Sequence, residues 1–197
     1  MRRIIYLCFI IIYVVACRDK TGGLKEYEAL KKKEIASGKR EDSLFFGIYL
    51  GMPSKDFYFH CWELNKKGMF TDGMNNTAVA YKLDSTQLGH PAHMFFYPDF
   101  IDNKIVEMRS TFSYDAWAPW NRNLFADSLL PKVLDLYQRW YPSGNDFIKM
   151  DDKKRGTIYI KIDGNRRITI GKADDTKVKV NYTDLYIEEK VLKNLKK

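Results

Sequence analysis

Ile158–Tyr182, IYIKIDGNRRITIGKADDTKVKVNY, is the stretch whose reading decides the fold class. Ile158, Ile160 and Ile162 alternate with Tyr159 and Lys161, and Ile168 and Ile170 alternate with Arg167 and Thr169. Val178, Val180 and Tyr182 then alternate with Lys177, Lys179 and Asn181. A period of two is that of a strand with one covered face and one wet face. Asp163-Gly164 is a hairpin signal, and Ala173–Thr176 supplies a second turn. Three strands joined this way make an antiparallel meander whose isoleucine and valine face needs a cover.

The nearest cover is a helix read over about 121–140. Its apolar stripe is Leu129, Val133, Leu136 and Trp140. Pro131 lies inside it, either as a kink or in the first turn of a helix capped by Ser128. Farther toward the N-terminus, Thr77–Leu83, Met94–Tyr97 and Ile105–Phe112 read as three strands, with turn residues over Pro98–Asn103. Before them a helix starts at Pro53-Ser54 and runs to about Lys67, with Phe57, Cys61 and Leu64 as its core stripe. Leu44–Gly51, LFFGIYLG, is a strand or an apolar lead-in. The expected class is α+β: an antiparallel sheet of about six or seven strands with two main helices on one face. Helix, three strands, helix, then three or four strands is compatible with a degenerate α–β–β–β duplication, although no residue-level repeat is visible.

The N-terminus carries an address. Arg2 and Arg3 precede an unbroken apolar run from Ile4 to Val15, followed by Ala16 and Cys17. This is the layout of a secretory signal. The run is shorter than the roughly 20 residues that a membrane-spanning helix needs. Val14-Val15-Ala16-Cys17 resembles the lipobox of bacterial lipoproteins, with Val14 where that family more often has Leu. The resemblance implies cleavage after residue 16, lipidation of Cys17 and a membrane-anchored protein of the bacterial cell envelope, on the periplasmic or surface face of the outer membrane. Residues 17–42 then read as a charged linker, 43–190 as a single domain and 191–197 as a basic tail. Gly51–Phe57, GMPSKDF, resembles the helix entry of the SmpA/BamE group of outer-membrane lipoproteins and of folds like the beta-lactamase inhibitor protein. Pro53 stands where that group usually has Ser or Thr. This second resemblance implies a small helix-plus-sheet domain used for protein contacts.

The formal charge is +8, and loss of Arg2 and Arg3 with the leader leaves +6. Much of that sits in the two ends of the mature chain, which argues against nucleic acid as a partner. Of the three cysteines, Cys8 leaves with the leader and Cys17 is taken by lipid, so Cys61 has no partner for an internal disulfide.

Four groups are candidate sites. His60-Cys61 are adjacent on a helix and point about 100° apart, unsuited to sharing a proton. His90 and His93, with Asp99 and Asp102 downstream, fall short of a fixed set of three or four metal ligands. Tyr114, Trp117 and Trp120 form an aromatic loop, either a platform for a sugar ring or partner side chain, or a plug over the open end of the sheet. The plug is preferred, because large rings are highly buried on average. Lys161, Arg167, Lys177 and Lys179 read as a basic stripe on the wet face of the meander, open to an acidic partner or lipid, although a solvated face is the commoner use. No phosphate loop, nucleophile elbow or acid–base pair is recognisable. The expectation is a non-catalytic, macromolecule-binding protein without cofactor or metal; the alternative is a glycan or small-ligand binder using the aromatic loop.

Overall fold

The computed structural model describes residues 22–73, 77–153 and 156–194. Cys17, the lipobox and residues 195–197 of the basic tail lie outside them. The described residues form one antiparallel sheet. Its strands are β1 (Phe70–Gly73), β2 (Ala78–Leu83), β3 (Ala92–Ile101), β4 (Lys104–Tyr114), β5 (Ile148–Asp152), β6 (Gly156–Asp163), β7 (Arg166–Lys172) and β8 (Lys177–Asp184). Their order is β1-β2-β3-β4-β8-β7-β6-β5. Each half of the chain is therefore a meander, and the two halves join through their last strands. The helices are α1 (Gly22–Ala36), α2 (Ser54–Lys66), α3 (Ser85–Leu88), α4 (Ala126–Trp140) and α5 (Leu185–Asn194).

The α+β class stands, with eight strands where six or seven were expected. The additional ones are the outermost strands, β1 and β5. Both are short and polar, as edge strands that resist further pairing tend to be. FTDG and IKMDD therefore carry little strand signal. β3 also runs through the stretch read as turn. Only Asp102 and Asn103 turn, both with positive φ (49° and 59°), as a two-residue type I′ connection requires. Among the described residues β2 pairs along β3 as far as Phe96, so Pro98 lies past that ladder, and a bulge follows at Asp99/Phe100.

The main core lies on one face of the sheet. Met108 and Phe112 of β4, Val178, Val180 and Tyr182 of β8, and Ile168 and Ile170 of β7 share a cluster with Phe57 and Cys61 of α2 and Leu129, Val133, Leu136 and Tyr137 of α4. Leu44–Gly51 is a lead-in, not a strand. It buries Leu44, Phe45, Ile48 and Leu50 around a tight turn in which Ile48 N donates to Phe45 O.

The register of the β6–β7 hairpin corrects the expected two-faced pattern. Gly164 and Asn165 form the turn, so Asp163 pairs with Arg166, Lys161 with Ile168 and Ile162 with Arg167. Paired residues share a face. Lys161 therefore lies on the face of Ile168, and Ile158, Ile160 and Ile162 point to the opposite one. A one-residue difference in register moves every side chain across the sheet.

That opposite face is covered by the segment expected to be a linker. Tyr27, Leu30 and Ile35 of α1 pack on Ile158, Ile160, Ile162 and Leu185. Glu34 accepts from Gly164 N (2.8 Å) and Asn145 Nδ2 (3.1 Å), which fixes the end of α1 at the hairpin turn. Residues 22–42 thus belong to the fold. Residues 191–194, read as part of a basic tail, are the last turn of α5.

Candidate functional site

The aromatic loop divides. Tyr114 is buried and its hydroxyl donates to Leu88 O (3.1 Å), so it fills the end of the core as a plug would. The tryptophans do not. Trp117 is 48 % exposed, resting on Phe125 at 5.7 Å between ring centroids, and Trp120 is 85 % exposed. The plug reading fails for both indoles, since neither is buried in the core.

The basic stripe loses Lys161, while Arg167, Lys177 and Lys179 share one face of the sheet. Lys161 is buried at 3 % exposure, donating to Ser143 O (2.8 Å) and Asn145 O, with Asp163 Oδ2 at 3.6 Å. Arg167 lies on the other face, where it donates to both oxygens of Glu188 (2.6 and 3.0 Å) and to Tyr27 Oη (3.1 Å). Its pKa is raised, since these partners outweigh the lowering from burial. Lys177 and Lys179 remain beside one another on β8, Lys177 half-buried and Lys179 exposed. Arg167 shares their face but is paired with Glu188, which leaves the two lysines as an ordinary solvated pair.

Burying Lys161 creates a charged network that the sequence reading missed. Arg166 reaches Ser43 O, Asp163 and Glu41, with its guanidinium 4.7 Å from the Tyr141 ring centroid. Asn165 accepts from Glu41 N and donates to Asp42, while Arg40 bridges Asp42 and Asp184. A cleft of about 280 Å³ opens beside it, between Glu41, Ser43, Tyr141, Asp163 and Arg166. Lys39 and Arg166, with Glu41 and Asp163, line this rim, and Arg166 pairs with both carboxylates, so the network ties residues 39–43 to the hairpin.

The histidines and the cysteine are placed apart from one another. His60 Nε2 is 2.6 Å from Phe46 O, and Cys61 is buried among apolar groups that push its thiol up to about 12. A thiol held protonated is a poor nucleophile. His93 Nδ1 is 2.5 Å from Asp115 Oδ1, whereas His90 packs edge-on against Tyr114. Among the described residues no three His, Cys, Asp or Glu side chains are grouped to hold a metal ion.

The most distinctive surface lies on α2. Phe57 and Cys61 enter the core, but Tyr58, Phe59 and Trp62 face outward at 50, 62 and 53 % exposure. Phe59 and Trp62 are ring neighbours at 5.9 Å, and Lys66 Nζ sits 3.2 Å from the Trp62 centroid. Tyr58 Oη is 2.7 Å from Tyr97 Oη; that hydrogen bond, with partial burial, pushes the Tyr58 hydroxyl up to about 12. Met69, just past the helix, is also exposed. The sequence did carry a signal here. A surface helix normally keeps one polar face, and this one has apolar or aromatic residues at 57, 58, 59, 61, 62 and 64, more than a single buried stripe can use.

No protein-family model, no curated protein and no solved structure matches this chain.

Proposed function

We propose that this is a lipid-anchored cell-envelope protein, tethered through Cys17, whose α+β domain binds a protein partner and carries out no catalysis. The observation that supports binding is the exposed aromatic face of α2. Three large rings held on a rigid helix, with a cation stacked on one of them, match the composition of interface hot spots. Contiguous apolar surface of this kind is uncommon on a monomer without a partner.

We also infer that the domain is a degenerate duplication. Each half runs helix then four strands, with α2 and α4 on the same face of the joined sheet.

Two measurements test the reading. Mass spectrometry of the mature N-terminus should find an acylated Cys17; a chain that retains residues 1–16 unmodified removes the anchor. Envelope extract passed over the whole mature chain should yield one stoichiometric partner that Phe59→Asp and Trp62→Asp variants lose. Equal capture by folded variants would refute the role of α2. A second reading, glycan binding, is favoured by the 85 % exposure of Trp120. It requires retention on a polysaccharide column that Trp120→Ala abolishes.

A further inference from the structure

The sheet register brings three things to one end of the molecule. α1 begins there: Gly23 is pressed against β5, where a Cβ would sit 2.6 Å from Lys149 O. α1 then runs along β6 to the opposite end, where Glu34 meets Gly164. Met150 of β5 pairs with Ile158, Ile158 with Gly171, Gly171 with Lys179 and Lys179 with Thr111. The row that holds the start of α1 therefore crosses β4 three residues before its last residue, Tyr114. Beyond Tyr114, Trp117 rests on Phe125, the residue that precedes α4, and Trp120 follows three residues later. α4 starts there too, with Ala126 N donating to Asp175 O of the β7–β8 turn.

Chain length now matters. Because α1 is part of the fold, only residues 18–21 separate Cys17 from Gly22. Five residue steps span at most about 17 Å when fully extended. A lipid on Cys17 would hold this end of the sheet near the headgroups, with little room to stand away. From β5 to β4 is four strand spacings, roughly 19 Å, a separation close to the reach of that tether. Exposed indoles are the side chains that partition best to the headgroup level, where an apolar ring and a polar N–H are both accommodated. Two of the acidic groups at this end face a basic partner and a third is hydrogen-bonded. Asp115 meets His93, Asp127 accepts from Lys172 (2.6 Å), and Asp174 accepts from Thr176 (2.7 and 2.8 Å).

We propose that Trp117 and Trp120 are a membrane seat: they insert at the bilayer interface and fix the orientation of the anchored domain, leaving the α2 face free for a partner. This rests on the reading that Cys17 carries lipid. It also assigns the tryptophan loop to lipid in preference to glycan.

The test uses the whole chain, processed and lipidated in cells and reconstituted into vesicles of phosphatidylethanolamine and phosphatidylglycerol that contain brominated lipid. Tryptophan emission should fall by about half relative to vesicles without bromine, since two of the four tryptophans form the seat. A Trp117→Phe/Trp120→Phe variant should lose that quenching, and Trp62→Phe should keep it. Each replaced ring is about half exposed or more, so folding is not at stake. Protein that co-floats with vesicles but shows no quenching overturns the seat and leaves the anchor standing. Quenching carried by Trp62 overturns it in favour of α2 facing the membrane. Retention on a polysaccharide column, lost in Trp120→Ala and accompanied by no quenching, assigns the loop to glycan. Protein that fails to float and has an unacylated N-terminus sinks the anchor reading, and the seat with it.

Discussion

Lys161 and Lys179 show how much one residue's position in a strand decides. Both are lysines in alternating β segments, yet Lys161 is 3 % exposed and satisfied by two carbonyls and a carboxylate, while Lys179 faces solvent. Removing one member of a buried charged set leaves the others uncompensated. Lys161→Ala is therefore expected to cost about 3 kcal/mol and Lys179→Ala less than about 0.5 kcal/mol. Denaturant unfolding of the two variants checks both. Equal costs would mean that the β6–β7 register is wrong. Glu107 offers a pH-dependent counterpart. Burial, then the nearby Asp99, raises its carboxyl above the usual range, against the pull of Arg109, Lys179 and Arg167. A raised folded-state pKa stabilises the fold below the unfolded value, and that contribution disappears as pH rises through the folded value. Glu107→Gln should therefore raise Tm at neutral pH, and the gain should vanish below the ordinary carboxylate range. A gain that persists in acid would contradict the desolvation account.

At the scale of elements, α2 has two working faces. Phe57 is fully buried and Phe59 is 62 % exposed, two residues apart on one helix. Phe57→Ala should cost about 3–5 kcal/mol by opening a core cavity. Phe59→Ala should change stability by less than about 0.5 kcal/mol. Thermal unfolding of the pair checks this, and a large loss for Phe59→Ala would mean that its ring is packed and not offered to a partner. The helical period placed Phe57 and Cys61 inward correctly, because four-residue spacing alone puts them on one side. It left Tyr58, Phe59 and Trp62 unassigned, since nothing in the period says how much of a helix's circumference its neighbours cover. The edge strands β1 and β5 escaped for the opposite reason: they are short and polar so that they do not recruit further strands.

For the whole molecule, the decisive element is α1. Its sequence is rich in Lys and Glu with loosely spaced Leu24, Tyr27, Leu30 and Ile35, and by itself reads as a solvated helix. The fold gives it a partner, the isoleucine face of β6. A chain that starts at Ser43 should therefore unfold at a clearly lower temperature than one that starts at Arg18, and should bind a hydrophobic dye through Ile158, Ile160 and Ile162. Indistinguishable melting curves would restore the linker reading. If Cys17 carries lipid as proposed, the same element shortens the tether and would bring the tryptophan end toward the membrane surface.

Periodicity was enough to establish an antiparallel α+β protein, the core stripes of α2 and α4 and the strands of the C-terminal meander, because alternation and helical spacing are properties of neighbours along the chain. Which face each strand presents, where α1 lies, and whether Trp117 and Trp120 are sheltered depend on contacts between residues far apart in sequence. A two-residue turn at Gly164-Asn165 reversed one strand's faces, and no local pattern records that choice.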